Sequence, residues 1–206
     1  MLRRPISVHD VCEESNQLTL LIQIVGKGTR RLSEMKVGDK LNLVYPLGKG
    51  FSVEGERPLL VGGGAGIAPL LHLSKCYNAR GIRPAILLGG RTASLIPARH
   101  LLEPLGELLL CTDDGSLGEH GMVTQHTRFG ADYDHICACG PTPMMRAVAR
   151  HALSKGIDCE LSLENMMACG IGACLCCVCD TDNGHKCVCK DGPVFNANEL
   201  TKWISL

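Results

Sequence analysis

The sequence predicts an α/β fold around a five-stranded parallel sheet, preceded by antiparallel β-structure and followed by a small metal-stabilised segment. Three observations carry that prediction. Between residues 57 and 164, short apolar runs alternate with helical patterns. The first 55 residues contain apolar runs separated by glycine turns, with no helical period. Seven of the thirteen cysteines lie from Cys169 to Cys189, in a stretch almost without periodicity. The expected divisions are therefore 1–55, 56–157 and 158–206.

In the first division, Val8–Val11, Thr19–Val25 and Leu41–Tyr45 read as strands, separated by turn residues such as Gly26, Gly28, Gly38 and Gly48. Three strands are too few to close a barrel. In the second, Pro58–Val61, Ala85–Leu88, Leu108–Cys111, His135–Ala138 and Cys159–Leu163 are apolar runs bounded by Gly, Pro or Asp, as buried parallel strands are. The helical patterns between them are Ile67–Ala79, Leu95–Leu102, Val123–Phe129 and Pro143–Ser154. Gly81 and Gly156 suit helix ends, and Pro143 suits a first turn. Strand–helix alternation of this kind gives a doubly wound sheet with helices on both faces.

Composition narrows the function classes. The 206 residues are 45% apolar and 20% charged, with 21 basic and 21 acidic side chains and no long run of either sign. Such a balance offers no electrostatic footprint for nucleic acid or an anionic membrane. No stretch reaches the roughly 20 apolar residues that span a bilayer. The opening Met-Leu-Arg-Arg-Pro lacks the apolar core of a signal peptide, so a cytoplasmic protein is expected.

Thirteen cysteines in such a chain point to metal rather than to disulfides, which suit small secreted domains. Cys169-x4-Cys174-x2-Cys177 has the plant-type ferredoxin spacing of a [2Fe–2S] cluster. Gly170 and Gly172 permit a tight loop whose backbone N–H groups face the sulfurs. Cys187 and Cys189 compete for the fourth position. A structural zinc site is the alternative, but zinc usually takes two pairs with short internal gaps, which the x4 spacing fits poorly. Cys176 and Cys179 read as neighbours of the ligands, and the six earlier cysteines mostly as small buried hydrophobes.

The turn Gly62-Gly63-Gly64-Ala65-Gly66-Ile67-Ala68-Pro69 joins the first strand of the sheet to a helix. There a backbone can approach a pyrophosphate at a helix N-terminus. The second strand ends in Gly89-Gly90-Arg91 in place of the Asp or Glu of the usual dinucleotide fold. An arginine at that place would suit a 2′-phosphate. Cys139-Gly140-Pro141 and Asp113 follow the fourth and third strands, at the ends where open sheets bind ligands.

Gly64-x-Gly66-x-x-Pro69 together with Cys139-Gly140-Pro141 resembles the ferredoxin–NADP reductase superfamily, which joins a flavin-binding β-barrel to a nicotinamide-binding α/β domain. Arg4-Pro5-Ile6-Ser7 resembles its flavin motif, and Gly26-Lys27-Gly28-Thr29 its phosphate-binding turn. With Cys-Gly-Ile-Gly-Ala-Cys and Cys189-Lys-Asp-Gly-Pro-Val-Phe195, the sequence resembles the electron-transfer subunits of NAD-dependent dihydroorotate dehydrogenases along essentially its whole length. Narrower alternatives are electron-transfer subunits of hydrogenase or sulfite reductase type, or a zinc-stabilised binding module.

The resemblance implies FAD, a [2Fe–2S] cluster and NAD as electron acceptor in this chain. It also implies a separate FMN-containing dihydroorotate dehydrogenase subunit, in a heterotetramer of two plus two, serving pyrimidine synthesis. Arg4, Pro5, Ile6 and Ser7 would hold the FAD, with Leu21, Ile22 and Gln23 along its isoalloxazine and Gly28 and Thr29 on its phosphates. Gly64, Gly66, Pro69, Asp113, Cys139, Gly140 and Pro141 would take the nicotinamide nucleotide. The single residue between the fourth ligand and Asp-Gly-Pro in the family selects Cys189, beside Cys169, Cys174 and Cys177. The family has strands ahead of its Arg-Pro-Ile-Ser motif, so a partial barrel is expected from a sequence whose motif starts at Arg4. No acid–base or nucleophilic constellation is evident, so no catalytic residue is assigned.

Overall fold

The computed structural model describes residues 3–206. Its centre is a seven-stranded sheet formed by β3 (Pro58–Gly63), β4 (Ala85–Gly90), β5 (Glu107–Thr112), β6 (Glu119–His120), β7 (His135–Cys139), β8 (Asp158–Ser162) and β11 (Val194–Asn196). The spatial order is β11-β8-β7-β3-β4-β5-β6. All pairings are parallel except β11 on β8. The five expected parallel strands are therefore present, flanked by two short ones. Asp158–Ser162, beyond the expected boundary at 157, is an inner strand of this sheet.

Strand alternation sorts the core into two layers. Leu60, Ile86, Leu88 and Cys137 pack beneath α2 (Leu70–Ala79) and α3 (Arg99–Leu102). Leu59, Val61, Leu87, Ile136 and Leu161 pack beneath α4 (Thr142–Lys155) and α5 (Thr201–Ser205). Every residue of β3 is buried, which explains why its run is continuously apolar rather than alternating. The helix patterns are shorter than the sequence suggests. Gly64–Ile67 is a 3-10 turn and α2 starts only after Pro69. Ala93–Leu95 and Val123–Gln125 are likewise single 3-10 turns. Helix α4 ends as expected: Gly156 takes φ 66°, and its N–H and that of Ile157 close on the last turn.

The N-terminal part departs more. β1 (Val8–Cys12) and β2 (Gln17–Leu20) form an antiparallel hairpin. The strand expected over Thr19–Val25 stops at Leu20, and Leu41–Tyr45 belongs to no strand among the described residues. A β pattern becomes a strand only where a neighbour supplies its hydrogen bonds. Where no helix was expected, α1 (Lys27–Ser33) forms. Its signal was hidden because the side chain of Thr29 turns back to organise the start, accepting from the N–H groups of Val25 and Gly26 at 2.9 and 3.1 Å.

The cysteine-rich segment is also more regular than its sequence. β9 (Val178–Thr181) and β10 (Gly184–Cys187) form a second hairpin. Among the described residues, no helix is long and apolar enough to cross a membrane.

Candidate electron-transfer site

Residues 165–191 wrap the cysteine loop against the sheet's α4 side. Asn165 donates to the carbonyls of Cys177 and Val178 at 3.3 and 3.2 Å, which fixes the hairpin base. Gly170 and Gly172 take φ of 74° and 78°, and Leu175 takes 56°. These left-handed positions curl the loop so that its amides point inward. The N–H groups of Ile171 and Cys174 each lie 3.4 Å from Cys169 Sγ. Gly172 N–H donates to Cys189 Sγ at 3.2 Å, and Cys189 N–H to Cys177 Sγ at 3.4 Å.

A ring of amides on sulfurs is an environment for anionic sulfur. The amides of Ile171 and Cys174 hold the Cys169 thiol down to about 6. Burial, with the nearby Cys177 and Cys169, pushes Cys189 up to about 11. Several thiols so close cannot all ionise without a cation among them, which is the condition an iron–sulfur cluster meets. Cys187 differs in sense: its thiol donates to the Gly172 carbonyl at 3.9 Å. Asp191 builds the turn between Cys187 and Pro193, accepting the Cys187 N–H at 2.8 Å. Exposure also grades the loop, with Cys177 and Cys189 buried and Cys174 and Cys176 exposed.

The second site is the crevice at the C-terminal end of the sheet. β3 lies between β4 and β7, so the connections leave in opposite directions at β3/β7, a topological switch point. Gly62 is the register partner of Cys139, which sets the glycine turn beside Cys139-Gly140-Pro141. Gly66 permits this approach, because a Cβ there would meet the Cys139 carbonyl oxygen at 2.1 Å. Gly64 has φ 56° and open space around it. Burial pushes Cys139 up to about 11, so it is a neutral thiol beside Ser162. Ser162, its register partner, is a neighbour that local sequence does not announce, because register arises between strands. Asp113 is exposed at the end of β5, with β4 between it and the glycine turn.

The N-terminal residues make a third group. Arg4 lies against Gly28, where a Cβ would stand 2.9 Å from its Nε. A guanidinium thus adjoins the first turn of α1, whose opening N–H groups have no partner within the helix. Pro5 and Ile6 are half-buried and Ser7 exposed. Leu21 and Ile22 are half-buried, Gln23 is exposed, and all three follow directly after β2. This region touches the cysteine segment directly. Lys49 N–H donates to the Gly192 carbonyl at 2.5 Å, and Leu47 lies beneath Gly170.

A doubly wound sheet with its glycine turn, joined to an amide-lined cysteine loop, defines an iron–sulfur oxidoreductase of ferredoxin–NADP reductase-like fold. The loop region matches a family model over residues 164–201, described as the iron-sulfur cluster binding domain of dihydroorotate dehydrogenase B. The chain belongs to the family of electron transfer subunits of dihydroorotate dehydrogenase B (NAD(+)). It is 43% identical over 205 residues to the subunit from Caldanaerobacter subterraneus subsp. tengcongensis, covering 97% of this chain and 81% of that one. It is 39% identical to the Bacillus caldolyticus subunit, covering 97% and 80%.

Among solved structures, an NADH-dependent reduced ferredoxin–NADP oxidoreductase studied for flavin-based electron bifurcation superposes with a TM-score of 0.87. The two are 34% identical, over 99% of this chain and 78% of that one. A ferredoxin reductase of carbazole 1,9a-dioxygenase shares the fold at a TM-score of 0.54 and 18% identity, over 74% and 51%.

Proposed function

We propose that this chain carries electrons from a partner dihydroorotate dehydrogenase subunit, holding FMN, through a [2Fe–2S] cluster and FAD to NAD⁺. The observation that carries this reading is the amide-lined cysteine loop beside both the N-terminal region and the sheet. When bound, the cluster supplies one-electron steps and the flavin a two-electron hydride step, so the protein's task is to bind and position.

In this reading Cys169, Cys174, Cys177 and Cys189 hold the cluster. Cys189 is favoured over Cys187 because its sulfur accepts an amide N–H, as a thiolate ligand does, whereas the Cys187 thiol donates. Residues 1–55 serve the flavin. Arg4 and the α1 amides at Gly28 and Thr29 hold its pyrophosphate, with Pro5, Ile6 and Ser7 beside it and Leu21, Ile22 and Gln23 along the ring. The Thr29 hydroxyl is committed to Gly26, so its contribution is its backbone N–H. Residues 56–157 serve the nucleotide: Gly64, Gly66 and Pro69 admit the pyrophosphate, Cys139, Gly140 and Pro141 border the nicotinamide, and Asp113 lies further along the crevice. Strand β8 and the segment to 206 carry the cluster. The assembly is a cytoplasmic heterotetramer of two plus two.

Co-purification with an FMN-type dihydroorotate dehydrogenase tests this directly. The pair is expected to reduce NAD⁺ with dihydroorotate, while neither subunit alone does so. A chain that contains neither iron nor acid-labile sulfide after anaerobic preparation overturns the reading.

A further inference from the structure

At the end of the sheet opposite the crevice, the α2-facing side of β7 and β8 gathers donor groups of another kind. His135 and Cys137 are two residues apart on β7 and project from one face. Glu160 on β8 is the register partner of Cys137. One ligand atom from each of these three residues lies within 4.8 Å of the others. His135 and Cys137 are buried and Glu160 is half-buried. Cys137 lies on the opposite face of the sheet from the cysteine loop, and the proposed electron path leaves this group unused.

The hydrogen bonding of His135 separates this group from an ordinary buried network. Its Nδ1 lies 2.8 Å from Asp158 Oδ2, and Asp158 is itself fixed by Asn196 Nδ2 at 2.7 Å. An ionised carboxylate only accepts, so Nδ1 carries a proton and Nε2 is the ring atom left to meet a further partner. That Nε2 is buried without a hydrogen-bond partner. It faces Glu160 Oε2 at 3.7 Å, an acceptor already taking the Ser52 N–H at 2.8 Å. Burial lowers the pKa of His135, but Glu160 and Asp158 outweigh it and raise it above its ordinary value, so this buried nitrogen and its carboxylates draw a positive charge, which a metal ion supplies as a proton does.

We propose that His135 Nε2, Cys137 Sγ and the Glu160 carboxylate form a binding site for a zinc-class divalent cation, with Asp158 orienting the imidazole. The donor set of imidazole, thiolate and carboxylate is one that zinc accepts. A carboxylate on the far ring nitrogen is the usual support of a metal-binding histidine. On binding, the Cys137 S–H bond breaks, its proton leaves to solvent, and the sulfur's electron pair goes to the metal. Bound metal ties β7 to β8 and, through Glu160, to the Ser52 backbone that leads into β3.

The test uses the anaerobically purified chain with its cluster loaded, dialysed against buffered zinc. Wild type is expected to retain one zinc ion per chain in addition to its iron. Zinc-edge X-ray absorption is expected to show a single sulfur at about 2.3 Å with nitrogen or oxygen at about 2.0–2.1 Å. C137A and H135Q should lose the zinc while keeping their iron. Zinc should raise the thermal midpoint of wild type and leave that of C137A unmoved. C137A removes only a thiol, so its iron content and circular dichroism establish that loss of zinc is not loss of fold. Equal zinc in wild type and C137A, no zinc in wild type, or a shell of three or four sulfurs overturns the proposal. Binding of a proton alone at Nε2 would give the second of these results.

Discussion

The sheet and the cysteine loop use the same side chain in opposite surroundings. Cys111 and Cys159 lie within strands, almost wholly buried among apolar neighbours. Burial pushes Cys111 up to about 11 and Cys159 up to about 12. Those sulfurs act as small packing groups. In the loop, amides reach Cys169, Cys177 and Cys189 at 3.2–3.4 Å, so their sulfurs are prepared to carry charge. The difference is made by the backbone, strand amides being spent on neighbouring strands while left-handed loop residues free theirs.

The largest expected effect breaks the loop's side of this comparison. C177S removes a buried sulfur at the hairpin base and should abolish nearly all iron and visible absorption, while C176S, on an exposed neighbour, should leave both unchanged. Iron and sulfide assays after anaerobic purification decide it; full iron in C177S would remove Cys177 from the ligand set. C187S should retain its iron where C189S loses it.

Stability changes follow in size. G66A places a methyl 2.1 Å from the Cys139 carbonyl oxygen, an obstacle of backbone rather than flexible side chain. It should cost about 3 kcal/mol or more by urea unfolding, as severe overpacking does. C159S leaves a hydroxyl in an apolar layer without an evident partner and should cost about 1–3 kcal/mol with iron content unchanged. A fall in iron in C159S would show that sheet and loop cysteines are not independent.

The smallest effect lies at the hairpin. Asp10 pairs with Lys75 at 2.5 Å and ties β1 to α2. Burial alone would raise the Asp10 carboxyl, but the Lys75 hydrogen bond and charge outweigh it and hold it below the usual 3.8. A depressed carboxylate contributes stability above its unfolded value and loses it as pH falls through the folded one. D10N should therefore cost less than about 1 kcal/mol at pH 7, and the difference from wild type should shrink progressively as pH falls below 3.8, read from unfolding curves across that range.

The five parallel strands were legible because both faces of each are covered, which writes an uninterrupted apolar run into local sequence. Gly156 and Pro143 marked the limits of α4 for equally local reasons. The cysteine spacing was legible because ligation geometry constrains neighbours along the chain. The unpaired Leu41–Tyr45 was not, since a strand pattern does not say whether a partner exists. Nor was the group at His135, which depends on β7/β8 register and on an asparagine in β11. Helix α1 was missed because Gly26 and Gly28 resemble a turn until Thr29 folds back on them.

The short strand β11 has a consequence for self-association. Strand β8 would otherwise end the sheet with five residues of unpaired backbone, an open template for another chain. β11 covers it with only three residues, and β6 finishes the opposite edge with two. Both margins are thus too short to recruit a foreign strand. The residues that follow the cysteine loop act as a hem, keeping a sheet rich in buried leucine and isoleucine from growing sideways into aggregate.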